Sequence, residues 1–154
     1  MILVIDLEAS CDDGDKLPGD EMEMIEVGAV WATLDGRSLA EFQALVRPVL
    51  HPRLTPFCRQ LTGITQADVD GAPLFPEVAA RLASFAQLHQ AEGARWGSWG
   101  QYDAKQLARD CARHGIANPL ASFEHINLKR QFAKTRKIKE VGMARALQMV
   151  GLPL

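Results

Sequence analysis

The chain has 154 residues, 47% hydrophobic and 23% charged, the size and composition of one globular domain with a sizeable core. No apolar run approaches the ~20 residues of a membrane span, and the N-terminus lacks the basic segment and apolar stretch of a signal peptide. The three cysteines, Cys11, Cys58 and Cys111, are widely spaced and match no zinc pattern, so they read as small half-buried thiols in a reducing cytoplasm.

The opening stretch, Ile2 to Ile5, is continuously aliphatic and predicts a strand buried on both faces. Side chains alternate along a strand, so Asp6 and Glu8 emerge on one side of its carboxyl end and Leu7 on the other. Two acids held together repel unless a cation or a proton offsets them. Hard divalent cations, Mg²⁺ or Mn²⁺, suit such oxygen ligands. The plain alternative is two solvated acids at a strand end, because D-x-E alone is a weak pattern.

Ser10 to Glu23 is polar and reads as a surface loop near those acids; Asp12, Asp13 and Asp15 around Gly14 lack the spacing of an EF-hand loop. Met24 to Leu34 predicts a second strand, Asp35-Gly36 a hairpin turn, and Leu39 to Val46 a third strand, giving an antiparallel meander. Glu26 in strand two reads as an exposed strand glutamate, with a place beside a metal site as the alternative. Pro52 to Gly71 predicts short helices, with Thr65 and Asp68 as an N-cap and its box partner. Phe75 to Gln90 has helical spacing. Ala94 to Gly100 is a short strand entering a Gly-rich turn, and Asp103 to His114 is a helix closed by Gly115. Phe123 to Leu128 alternates as a fifth strand, Lys129 to Lys139 reads as a basic helix and loop, and Glu140 to Val150 as a last amphipathic helix. The order predicts an α/β domain: a mixed five-stranded sheet flanked by helices, with right-handed crossovers.

Charge is segregated although the net value is only −2. Asp6 through Glu41 carries eleven acids against Lys16 and Arg37, whereas Lys129 through Lys139 carries six bases and no acid. An acidic metal end beside a basic segment suits a polyanion that is both held and cut; a solvated helix face is the alternative. A third carboxylate is available in Asp103, which follows strand four and opens the next helix, close to Asp6 if strands one and four are neighbours. An Asp in a first helical turn also serves as a cap or dipole partner.

VIDLEASC, with Asp6 and Glu8, resembles the first motif of the DEDD exonucleases of the RNase H-like fold. The likeness is to their Eri-type branch, the three-prime exonuclease of histone mRNA and KapD-like proteins. FCRQLTGITQADVDGAPLFPEV resembles the segment between that family's first and second motifs. GSWGQYDAKQL resembles the second motif, with Asp103 as its acid, and HINLKRQF resembles the fifth strand and following helix. The resemblance covers essentially the whole chain. It implies metal-dependent 3′→5′ hydrolysis of single-stranded nucleic acid, RNA favoured over DNA, acting on 3′ ends and releasing nucleoside 5′-monophosphates. Two ions would be held by Asp6, Glu8 and Asp103. Asp6 would bridge both, Glu8 would hold the ion carrying the nucleophile, and Asp103 would serve the second. It also places Ala9 and Ser10 against the terminal nucleotide and Leu61, Thr62, Gly63 and Ile64 near its base. Trp99 offers a stacking surface or a core contact, and Trp96 a core contact.

The family's third motif carries a His and, five residues later, an Asp, on a helix that would follow Gly151-Leu152-Pro153-Leu154. No His here fits that place: His51 and His89 are remote, His114 ends a helix and His125 lies in the fifth strand, while Asp110 reads as a helix-surface acid. The expectation is therefore a single exonuclease domain over residues 1–154, truncated at its C-terminus, without a general base. Two other readings are a nucleic-acid- or protein-binding module that lost the third motif, and a haloacid-dehalogenase-like phosphatase with Asp6 as nucleophile. The phosphatase reading lacks the later Ser/Thr, Lys and acidic pair.

Overall fold

The computed structural model describes residues 1–14, 16–90 and 93–154; Asp15 of the expected acidic loop lies outside the described residues. Five strands run β1 Ile2–Ala9, β2 Met24–Ala32, β3 Ser38–Leu45, β4 Arg95–Ser98 and β5 Glu124–Asn127. They form one sheet in the order β3-β2-β1-β4-β5, with β1, β2 and β3 antiparallel and β4 and β5 parallel to β1. This is the expected mixed five-stranded arrangement, and β4 does neighbour β1.

The helices are α1 Pro56–Thr62, α2 Gln66–Asp70, α3 Phe75–Gln87, α4 Tyr102–Arg113, α5 Leu128–Arg136 and α6 Met143–Val150. Local chemistry sets their ends. Thr55 Oγ1 accepts the Cys58 N–H at 3.0 Å, Pro56 occupies the first turn, and Gly63 closes α1 at φ 74°. The predicted box is complete: Thr65 caps Asp68 while Asp68 accepts the Thr65 N–H. The last helix begins at Met143 rather than at Glu140, because Gly142 is extended (φ −64°, ψ 160°) and serves as the N-cap. None of the described helices is long and apolar enough to cross a membrane.

One face of the sheet carries the core. Leu3, Ile5 and Leu7 of β1 and Val27, Ala29 and Trp31 of β2 pack against Val78, Leu82 and Phe85 of α3 and Leu107 and Cys111 of α4. Trp31 is fully buried and donates its indole N–H to the Phe85 carbonyl at 3.1 Å. Burying a side chain of that size contributes roughly 2–3 kcal/mol. A second cluster, Ile25, Leu54, Cys58, Ile64 and Val69, seats α1 and α2 at the carboxyl end of β1. Cys58 and Cys111 are fully buried rather than half-buried.

The other face departs from the sequence reading. Ile2 and Val4 are only partly buried, so β1 is not covered on both sides. The physical reason lies in its neighbours on that face. Gly28 presents no side chain, the acids keep solvent, and the covering helix, α5, reaches only the flank, where Leu128 is pressed onto Gly97. Asp110 is a second correction. It is not a surface acid but is 2% exposed, accepting the Met24 N–H at 3.0 Å and the Gln106 amide at 2.9 Å and pairing with Arg113. Its carboxyl is raised chiefly by burial, against hydrogen bonds and Arg113, which lower it.

Candidate active site

β1 delivers Asp6 and Glu8 to the open face, and the β2 register sets Gly28 across from Asp6 and Glu26 across from Glu8. These strands floor a trough of about 590 Å³ lined by Val4, Asp6, Glu8, Glu26, Val30 and Gln43, among others. Glu26 is fixed in it by Gln43, whose amide donates to Oε1 at 2.6 Å. The sequence reading undervalued Glu26; its only signal was the pairing of two glutamates across β1 and β2.

Asp103 reaches the same rim from α4. It is 5% exposed, and its Oδ1 accepts the backbone N–H of Leu7 at 3.0 Å. Because Leu7 lies between Asp6 and Glu8, this one bond sets all three acids in a fixed relation. Asp6 keeps solvent contact, yet its carboxyl is raised, first by desolvation and then by the charges of Asp103 and Glu26. Glu8 is raised by desolvation, then by Asp6, Glu26 and Asp103. No Lys or Arg salt-bridges any of the four acids among the described residues.

The donor chemistry fits a hard divalent cation: carboxylates that, among the described residues, have no cationic partner and whose mutual repulsion such an ion offsets. The rim is open. Among the described residues no three His, Cys, Asp or Glu side chains are gathered closely enough to cage an ion as they stand.

The other expected site residues surround this rim unevenly. Ala9 is buried, with its carbonyl facing the Cys58 thiol at 3.8 Å. Ser10 is buried too, its N–H donating to the Glu23 carbonyl at 2.8 Å and its hydroxyl accepting the Glu23 N–H at 2.9 Å. Leu61 is exposed at the end of α1, Thr62 donates its hydroxyl to the Cys58 carbonyl at 2.8 Å, Gly63 turns the chain, and Ile64 belongs to the core. Trp99 is half-buried, its ring 5.7 Å from that of Phe132 and its indole N–H on the Val141 carbonyl at 3.2 Å. Trp96 is core, as expected.

One brace escaped the sequence reading. The buried Glu23 accepts three successive backbone N–H groups, of Val49, Leu50 and His51, at 2.7 to 3.0 Å, fixing the loop that follows β3 against the start of β2. The four histidines are each engaged. His51 pairs with Glu21, His89 stands edge-on to Trp31, His114 packs on Phe75, and His125 bonds Ser98 Oγ at 2.9 Å and stacks on Trp96. Burial lowers His125, while the charge of Asp103 opposes that shift.

The sequence profile of the exonuclease family (RNase_T) matches residues 3–144. The chain is 36% identical over 141 residues to ERI1 exoribonuclease 3 of Mus musculus, covering 85% of this chain and 40% of that protein. It is 30% identical over 169 residues to the 3′-5′ exonuclease Snipper of Drosophila melanogaster, covering 98% of this chain and 60% of the relative. It thus spans about two fifths of the length of the ERI1 exoribonuclease 3 proteins it matches. The nuclease domain of 3′hExo, a DEDDh family member crystallised with rAMP, superposes with a TM-score of 0.85 at 27% identity over 98% of this chain and 78% of that one. Cell-death related nuclease 4 shares the fold at a TM-score of 0.79 and 23% identity, covering 99% of this chain and 55% of that one. These matches displace the phosphatase reading. The chain belongs to the exonuclease family, on its Eri-type DEDDh branch.

Proposed function

We propose that this chain is the nuclease fold of a metal-dependent 3′→5′ exonuclease acting on single-stranded nucleic acid, RNA favoured, and releasing nucleoside 5′-monophosphates. The observation that carries this is the acid rim: Asp6 and Glu8 on the open face, with Asp103 tied to the N–H between them. Bound Mg²⁺ or Mn²⁺, as two ions, would supply an activated water and neutralise charge at the leaving 3′-oxygen. Asp6 would hold both ions, Glu8 the one on the water side, and Asp103 the other. The backbone at Ala9 and Ser10 and the exposed Leu61 beside Thr62, Gly63 and Ile64 border the place of the terminal nucleotide. Trp99, half-exposed four residues before Asp103, offers a face for a base.

RNA preference rests on the relatives. One solved relative with a TM-score of 0.85 is described as recognising the 3′ end of histone mRNA stem-loop. The three free thiols suit a reducing compartment, the cytoplasm. A second reading, a nucleic-acid-binding module, is favoured by one observation: none of the four histidines lines the trough beside Asp6 and Glu8, so we assign no general base among them. End-labelled single-stranded RNA and DNA incubated with Mn²⁺ or EDTA decides between the two. A ladder shortening from the 3′ end, abolished by EDTA and by Asp6→Asn, is the expected result. Strand binding without any metal-dependent shortening would favour the module.

A further inference from the structure

The basic segment after β5 is the structure's most segregated charge, and its position is not that of an incidental solvated face. Gly97 pairs with Val4 of β1. A Cβ at Gly97 would stand 2.8 Å from the Leu128 side chain, so α5 starts on the same sheet face as Val4, Asp6 and Glu8. Asn127 caps that start, accepting the Arg130 N–H at 2.9 Å.

The helix is also braced to the turn between β4 and α4. Phe132 packs on Trp99, Arg136 lies over the Phe132 ring at 4.9 Å, and Trp99 bonds the Val141 carbonyl beyond the basic segment. Trp99 stands in the turn that leads into Asp103. The cations themselves are exposed at Lys134, Arg136, Lys137 and Lys139. Among the described residues the one ion pair of the segment is the exposed Arg130–Glu140 contact at 3.4 Å.

We infer that α5 and the turn after it form the track for the sugar–phosphate backbone of nucleotides upstream of the scissile bond. This rests on the nucleic-acid reading of the site. A helix of nine residues is about 13 Å long, enough to follow a strand past its terminal nucleotide. The strip carries aromatic as well as cationic groups and lies beside an acidic rim. The aromatic rings favour a single strand, whose bases stack on them, over a flat anionic lipid surface, which would use only the cations.

The test is the salt dependence of binding, in EDTA so that nothing is cut. Fluorescence anisotropy with a labelled single-stranded dodecanucleotide compares the wild type with a Lys134→Ala, Lys137→Ala, Lys139→Ala variant. This variant leaves the Arg136–Phe132–Trp99 stack intact, and an unchanged circular dichroism spectrum and thermal midpoint verify its fold. The slope of log Kd against log salt should become shallower by about 2 and the affinity at low salt should fall at least tenfold. A wild type that binds, with a variant of equal slope and affinity, would overturn the track while leaving the nuclease reading standing. A wild type that binds no strand, or binds anionic vesicles instead, would overturn both. Phe132→Ala is the second variant: loss of affinity without a change of slope is expected from an aromatic wall, and no change would remove that wall from the track.

Discussion

Asp103 and Leu7 are joined across 96 positions of sequence by one hydrogen bond, carboxylate Oδ1 accepting the backbone N–H at 3.0 Å. The bond ties the N-terminus of α4 to the strand that carries Asp6 and Glu8, so Asp103 has a structural task beside any metal-binding one. Asp103→Asn keeps an acceptor and should fold normally while losing Mn²⁺ affinity in calorimetry. Asp103→Ala leaves the Leu7 N–H unpaired and should cost a further ~1–2 kcal/mol in urea unfolding. Equal stabilities for the two variants would show that the bond adds nothing.

The crowding of acids has a pH signature. In the folded protein Asp6 and Glu8 hold protons more tightly than their ordinary values of 3.8 and 4.5. Raised folded values contribute stability that is present below the unfolded values and is lost as pH rises through the folded ones. Metal-free protein at pH 7.5 has therefore lost that contribution. Asp6→Asn should melt a few degrees higher than wild type at pH 7.5 in EDTA, with the difference shrinking toward pH 4. Added Mn²⁺ should raise the wild-type midpoint and leave the variant's unchanged. A variant that melts lower at pH 7.5 would mean that Asp6 is not under electrostatic strain.

Much of this architecture was legible in the residues. Asp35-Gly36 fixed the hairpin, the Thr65–Asp68 spacing fixed a capping box, and the alternation of Asp6 and Glu8 put both acids on one face. What escaped depended on long-range packing. Asp110 follows Asp103 by seven residues and Leu107 by three, so helical spacing puts it on the buried face of α4; it read as a surface acid because it is charged, and its partners Met24, Gln106 and Arg113 have no signal in the sequence. Val4 read as core because four aliphatics in a row carry no information about which face a helix will cover. Glu26 read first as an exposed strand glutamate, with a place beside a metal site as the alternative, and Glu23 as the end of a surface loop; their settings come from strand register and from three backbone donors, neither of which has a local signal.

Asp110 is accordingly a stability position. Replacing it with Ala leaves the Met24 N–H without its acceptor, removes one of the two acceptors of the Gln106 amide, which keeps the Met22 carbonyl at 2.8 Å, and leaves Arg113 without its carboxylate. Arg113 keeps the Asp20 and Met22 carbonyls, at 2.9 and 3.0 Å, which limits the damage. The expected cost is about 2–3 kcal/mol, a fall in melting midpoint of about 5–10 °C. Asp110→Asn should recover part of it. A loss below about 0.5 kcal/mol for the Ala variant would show that the network is replaced by water.

Glu26 faces Glu8 across the β1–β2 pair and is held by Gln43. Its charge adds to the repulsion that a bound cation offsets. Glu26→Gln keeps the side chain's size and should leave the fold intact while weakening Mn²⁺ binding by about tenfold, the scale of an outer-sphere partner. Isothermal calorimetry reads this without any turnover. Unchanged affinity would make Glu26 a strand residue that happens to line the trough.

Gly97 links the sheet to the helix that we assign to the substrate backbone. A methyl group there would sit within 2.9 Å of three Leu128 side-chain atoms, so Leu128, the first residue of α5, must move. Overpacking of this kind costs about 1–3 kcal/mol. The clash has one partner, so it should be relieved by making room: Gly97→Ala combined with Leu128→Ala should lose less stability than the two single changes added together. Urea unfolding of all four proteins closes this cycle. Simple additivity would mean that the sheet, rather than Leu128, yields to the methyl group. In that case α5 would keep its seat, and strand binding by Gly97→Ala should match the wild type.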